Sequence, residues 1–255
     1  MKSTSFTFLF KYLAKKIISW AVTTRLLVFP RRIISEAIDY GLSVSRQQNY
    51  GVTIFYNDCE RAKVIDLVRK IKSENALLLR ENEAYQIFMA VVRTKKVDGD
   101  IAEVGVYRGA SAKLICEAKG DKPLHLFDTF EGLPDLSKID DSKMFHRGQF
   151  FATCADVENY LREYSDVHFY KGLFPLTAGP LQGKMFSFVN LDVDLYEATS
   201  SCLKFFYPRM NKGGVVIAHD YINAPGVRKA FDDFFEDKQE TIIELSGTQC
   251  LVVKL

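Results

Sequence analysis

The chain has no CxxC pair: its five cysteines, Cys59, Cys116, Cys154, Cys202 and Cys250, are odd in number and widely spaced. This argues against a disulfide framework or a zinc ribbon and favours a reducing, cytoplasmic compartment. No run of about 18 residues is free of charge, so no transmembrane helix is expected. Lys11, Lys15, Lys16 and Arg25 interrupt the apolar N-terminus and no small-residue cleavage site follows, so a signal peptide is not expected either. A formal net charge of +2 gives no argument for nucleic-acid binding. Acid is wholly missing from residues 1–35, which carry seven of the 34 lysines and arginines; the other 27 bases face 32 acids, leaving residues 36–255 at about −5.

What is present suits one sizeable core, since 255 residues are 47% hydrophobic. Residues 5–29 have helical periodicity, with Phe6, Leu9, Phe10, Leu13, Ile17, Trp20 and Ala21 on one face and Lys11, Lys15 and Arg25 opposite. Such a helix either packs on the body or a partner subunit, or contacts an anionic membrane surface through residues 1–32, at the inner face of the membrane. Pro30 ends it. Residues 31–56 have no clear order. Asp58 is placed to cap a helix running to about Lys72, and a second helix is expected over 74–93. Residues 1–96 are thus expected to form a helical N-terminal region, and 97–255 a second domain.

From residue 101 strands and helices alternate. Residues 101–134 read as strand, glycine-containing turn, helix and strand, with Glu103 near the end of the first strand and Asp128 at the end of the second. Gly105 and Gly109 allow a sharp turn and a close approach to a ligand. Acids at the carboxyl ends of strands in an open α/β sheet suit the hydroxyls of a nucleoside-type cofactor. Gly105, Tyr107, Gly109, Ala110, Ser111, Thr129 and Phe130, beside these acids, are the candidate cofactor contacts. The long connection 129–152 is expected to act as a lid, and its His146 is a base candidate. His125 and His168 lie within strands and read as core residues.

A second constellation follows in Asp192 and Asp194, after strand 185–192, and in His219-Asp220-Tyr221, after strand 215–220. Carboxylates converging at the ends of neighbouring strands repel unless a cation, a proton or a basic partner intervenes. A hard divalent ion such as Mg²⁺ would meet that need and leave room for two adjacent substrate hydroxyls. The chain ends in two strands joined only by Ser246-Gly247-Thr248, a link that closes an antiparallel hairpin but not a parallel crossover. GxGxxG is missing; the pattern is ExGxxxG.

ExGxxxG, Asp128 and the hairpin together resemble class I S-adenosylmethionine-dependent methyltransferases. FDTFEGLP (127–134), KGLFPLT (171–177), LDVDLYEAT (191–199) and HDY (219–221) resemble the macrocin and mycinamicin sugar O-methyltransferase family, often called TylF-like. The resemblance covers about residues 75–254. It implies a doubly wound, Rossmann-like seven-stranded α/β sheet with a C-terminal antiparallel hairpin, and S-adenosyl-L-methionine as cofactor. It further implies a hydroxyl of a deoxysugar or related glycoside as acceptor, a divalent metal with Asp192 and Asp220 as ligands and Asp192 doubling as base, and a homo-oligomer. The basic N-terminal helix adds a surface or lipid-linked glycan as acceptor, and His219 is a further ligand or base candidate. Metal-dependent members have Asp-Asp-Tyr where this chain has His219-Asp220-Tyr221, and histidine suits magnesium less well than an acid does. Methylation of a phenolic or catechol-like hydroxyl, and a non-catalytic cofactor-binding scaffold, stay open as alternatives.

Overall fold

The computed structural model describes residues 43–46, 53–56 and 59–255. The amphipathic stretch 5–29 and the expected contact through residues 1–32 lie outside the described residues. Two compact units divide the chain between Lys63 and Val64. In the first, β1 (Ser43–Arg46) pairs antiparallel with β2 (Thr53–Tyr56), Ser43 opposite Tyr56 and Arg46 opposite Thr53. The expectation of a purely helical 1–96 is corrected here: TIFY is β-branched and aromatic, a composition that favours strand over helix.

The second unit begins well before residue 97. Helix α1 (Cys59–Glu74) buries Val64, Ile65, Val68 and Ile71, and α2 (Glu81–Arg93) buries Ala84, Ile87 and Val91. Val68, Ile71 and the α2 side chains share a core with Ile101, Leu114 and Ile115, so both helices belong to the body from Val64 onward and not to a separate N-terminal region. They cover one face of the sheet together with α3 (Ala110–Lys119). The other face is covered by α5 (Tyr196–Phe206) and α6 (Pro225–Phe235).

The sheet has the order β5-β4-β3-β6-β7-β9-β8. Its strands are β3 (Asp100–Val104), β4 (Leu124–Asp128), β5 (Val167–Lys171), β6 (Phe186–Leu191), β7 (Met210–Ala218), β8 (Ile243–Glu244) and β9 (Cys250–Val253); α4 (Cys154–Leu161) precedes β5. The first five are parallel, and their alternate residues enter opposite cores: Ala102 and Val104 one, Ile101 the other; Val216 and Ala218 one, Val215 and Ile217 the other. This is the period-2 pattern of a sheet covered on both faces. β9 pairs antiparallel with both β7 and β8, as the short link at 246–248 requires. Residues 211–214 lie within β7 at a register shift: Phe186 pairs with Met210 but Phe188 with Val215.

Strand order reverses between β3 and β6. The chain leaves β3 toward β4 on one side and β6 toward β7 on the other, which opens a crevice at their carboxyl ends.

Candidate active site

That crevice is a cavity of about 290 Å³, lined from β3–α3 by Gly105, Tyr107, Ala110 and Ser111, from β4 by Asp128 and Thr129, and from β6 and β7 by Asp192, Asp194, His219 and Asp220. Nine of the sequence-predicted residues meet there. Glu103, Gly109, Phe130 and His146 are not among its walls.

Asp128 organises the β3 side. Its Oδ2 accepts from the amides of Val106 (2.7 Å) and Tyr107 (2.8 Å), and its Oδ1 from that of Phe130 (2.7 Å). These bonds hold two tight turns in which Tyr107 (φ 50°) and Phe130 (φ 53°) take left-handed conformations that non-glycine residues rarely adopt. Phe130 is buried and contributes its amide to Asp128. A carboxylate has about four acceptor positions; the Thr129 hydroxyl, 3.4 Å from Oδ1, gives its one hydrogen to the Gly132 carbonyl at 2.7 Å, so Asp128 keeps one position beyond its three amides.

Both glycines are required by the protein's own packing. Gly105 has φ 90°, and a Cβ there would overlap the Asp192 carbonyl oxygen at the end of β6. Asp192 N donates to Val104 O at 2.9 Å and seals the same junction. Gly109 (φ 81°) opens α3 and would meet Val157 at 2.8 Å.

Glu103 points away from the cavity, on the same side of β3 as Ile101, and is fully buried. Its Oε1 accepts from Asn190 Nδ2 at 2.9 Å, while its Oε2 and Asn190 Oδ1 have no partner. Burial pushes its carboxyl up to about 8, against the hydrogen bond from Asn190.

On the β6–β7 side, His219 Nδ1 lies 3.3 Å from Asp192 Oδ1 and 3.2 Å from Asp220 Oδ2. Ligand atoms of all three residues fall within 4.8 Å of one another, the spacing of a cation site. Burial opposes charge on His219, but Asp192, Asp220 and Glu83 outweigh it and raise its pKa well above the ordinary value. Asp194, buried beside Asp192 and Asp220, is held well above the usual carboxylate range by burial first and those charges second. Burial also opposes charge on Asp220, yet His219 lowers it. Asp194 (φ 62°) and Asp220 (φ 59°) both have left-handed backbones, which turn their carboxyl groups toward this cluster.

The connection 129–153 supplies Leu133, Phe145, Gln149 and Phe150 to the cavity wall. Its His146 is exposed, with Nδ1 3.1 Å from the Arg147 carbonyl, and stands apart from the acid cluster. The sequence reading missed the apolar rim of Leu78, Met144 and Leu173, partly exposed at the cavity mouth. It also missed Glu83 and Thr248 behind His219. The legible signal for Glu83 was an acid set directly beside the buried face Ala84, Ile87 and Val91.

A family model, macrocin O-methyltransferase (TylF), matches residues 80–247. Demethyldecarbamoylnovobiocin O-methyltransferase of Streptomyces niveus is 30% identical over 153 residues, 54% of this chain and 58% of the relative. The 8-demethyl-8-(2,3-dimethoxy-alpha-L-rhamnosyl)-tetracenomycin-C 4'-O-methyltransferase of Streptomyces olivaceus is 30% identical over 158 residues, 56% of this chain and 60% of the relative. The chain therefore spans about three fifths of the length of these curated relatives. The solved structure of the O-methyltransferase NovP has the same fold, with a TM-score of 0.66 and 23% identity over 76% of this chain and 99% of that one. With the match covering most of the sheet and the strand ends that build the cavity, the chain belongs to the macrocin O-methyltransferase (TylF) family.

Proposed function

We propose that this chain transfers a methyl group from S-adenosylmethionine to a hydroxyl of a sugar in a glycoside. The observation that carries the reading is one cavity with two chemically distinct ends: an acid-anchored pair of turns at β3 and β4, and a cluster of proton-accepting groups at β6 and β7. Family membership and the rhamnosyl compound named for one relative support the acceptor class. The apolar rim of Leu78, Met144 and Leu173 supports a sugar carried on an apolar body, which such a rim would keep out of water.

The residues present fit the cofactor. Asp128 retains acceptor capacity toward the cavity for ribose hydroxyls, with Thr129 beside it, and the 105–111 turn and helix start offer backbone amides for a carboxylate. Bound there, S-adenosylmethionine supplies an electrophilic sulfonium methyl. Asp192, lining the cavity beside His219, takes up the proton of the attacking hydroxyl. Tyr107, Phe150 and Phe145 shield that end of the cavity from water.

The donor set also fits a divalent cation, held by Asp192, Asp220 and Nδ1 of His219, which would lower the pKa of a coordinated hydroxyl. Residues 1–32, basic and free of acid, are proposed to contact an anionic membrane surface.

Calorimetry tests the core of this reading. S-adenosylhomocysteine is expected to bind at micromolar levels and NAD not to; the reverse result ends it. Asp128→Ala is expected to weaken S-adenosylhomocysteine at least about tenfold, by removing a charged acceptor and the three amide bonds that shape its turns. Methyl transfer insensitive to EDTA would remove the cation and leave Asp192 as the proton acceptor.

A further inference from the structure

Glu83 is an acid inside an otherwise apolar helix surface. It projects from the first turn of α2 beside Ala84 and is 1% exposed. A carboxylate buried without partners is costly, and both oxygens are engaged. Oε2 accepts from the Arg80 amide at 2.7 Å and lies 3.6 Å from His219 Nε2. Oε1 accepts from the Thr248 amide at 2.9 Å and its hydroxyl at 3.2 Å. Thr248 Oγ1 is in turn 3.1 Å from His219 Nε2. Gly247, at φ 121°, lets the hairpin turn close on this carboxylate, since a Cβ there would overlap Glu83 Oε1.

The hydrogens can be assigned. Glu83 accepts from a backbone amide on each oxygen, Arg80 on Oε2 and Thr248 on Oε1, so it is an acceptor in this network. An ionised carboxylate only accepts, and a threonine hydroxyl has one hydrogen to give. Thr248 therefore donates to Glu83 and accepts from His219 through its remaining lone pairs. That hydrogen belongs to Nε2, which leaves Nδ1 facing Asp192 and Asp220.

We propose that Glu83 and Thr248 are positioning residues for His219: together they hold Nε2–H and so fix Nδ1 as the nitrogen presented to whatever occupies the acid cluster. The proposal deepens the reading of the active site given above and rests on it for its functional meaning. A histidine whose rear nitrogen is bonded to a fixed acceptor keeps one tautomer and one ring orientation, and loss of such a partner costs about 10- to 100-fold in activity or metal affinity in comparable sites.

The test uses the full chain with ¹⁵N-labelled histidine and needs no cofactor, so its outcome is independent of methyl transfer. Ring nitrogens of His219, assigned by comparison with His219→Gln, are followed by long-range ¹⁵N–¹H correlation from neutral to alkaline pH. Nε2 is expected to keep its N–H shift throughout, with Nδ1 the nitrogen that becomes bare. Thr248→Val removes the hydroxyl at nearly constant shape and avoids the refolding risk of changing Glu83; it is expected to mix the tautomers and speed exchange of Nε2–H. Thr248→Ser, which keeps the hydroxyl, is expected to retain the single tautomer. An Nδ1–H tautomer in the unaltered protein, or a Thr248→Val spectrum identical to it, overturns the proposal. In turnover, Thr248→Val is expected to lower kcat about 10- to 100-fold with S-adenosylhomocysteine affinity unchanged; an unchanged kcat also overturns it.

Discussion

Glu103 has a fully buried carboxyl group with one oxygen bonded to Asn190 and the other, like that amide's own oxygen, without a partner. Its carboxyl titrates at about 8 in the folded chain, pushed there by burial and by the charges of Asp192 and Asp128, against an ordinary value of 4.5. Between those values the folded chain holds a proton that the unfolded chain has released. The stability from Glu103 is therefore full below about 4.5 and is lost as pH rises through about 8, with a slope of at most about 1.4 kcal/mol per pH unit. Glu103→Gln keeps a donor and an acceptor toward Asn190 but cannot ionise. Urea unfolding at pH 6 and pH 9 is expected to find the variant gaining on the unaltered protein at the higher pH. A stability difference that does not move with pH would rule out the neutral acid. The sequence shows an acid near a strand end; which side of the strand it faces depends on a pairing register that only the neighbouring strand sets. Asp128, one strand away, was legible because its position at the strand terminus leaves its carboxylate at the edge.

At the scale of elements, the Asp140 side chain ties the connection between β4 and α4 to the start of α5. Asp140 Oδ2 accepts from the Ser137 amide (2.8 Å) and hydroxyl (2.7 Å), while Oδ1 accepts from the Tyr196 amide at 2.8 Å. That last donor is one of the amides that α5 leaves without a partner at its start, so the loop caps a helix it does not belong to. Gly226, in the first turn of α6, leaves the space for this carboxylate: a Cβ would overlap Asp140 Oδ1 and meet Tyr196 N at 3.0 Å. Two effects then oppose each other in Gly226→Ala. Helix propensity favours alanine by about 1 kcal/mol, and overpacking disfavours it by about 1–3 kcal/mol. The contact is with a carboxylate already bonded on both oxygens, so the second effect should win, and thermal unfolding is expected to find the variant less stable. Asp140→Ala is expected to abolish that penalty in the double variant; additive effects would mean that the two residues do not communicate. Composition marked 129–152 as a loop of unusual length, but its attachment lies in contacts about 50 and 90 residues further on, which local pattern cannot reveal.

For the whole molecule, alternating strands and helices, together with a three-residue C-terminal link, were enough to specify the sheet, because the connection lengths leave few topologies. The place of α1 and α2 was not legible: amphipathic helices advertise a buried face without naming what buries it. The same scale holds the charge pattern. A formal charge of +2 conceals seven bases without an acid in residues 1–35 and about −5 over the rest. An anionic surface would attract the first part and repel the second, so binding should depend wholly on the N-terminal bases and should be screened by salt. The Debye length falls from about 10 Å at 0.1 M to about 3 Å at 1 M ionic strength. The full chain is expected to co-sediment with vesicles containing anionic phospholipid at low salt, to be released at high salt, and to ignore vesicles of neutral lipid. Replacing Lys11, Lys15, Lys16 and Arg25 together by glutamine, which keeps helix propensity nearly level, is expected to abolish the binding. Co-sedimentation that survives that replacement, or that persists unchanged at 1 M salt, would mean the charge asymmetry does not direct this chain to a membrane.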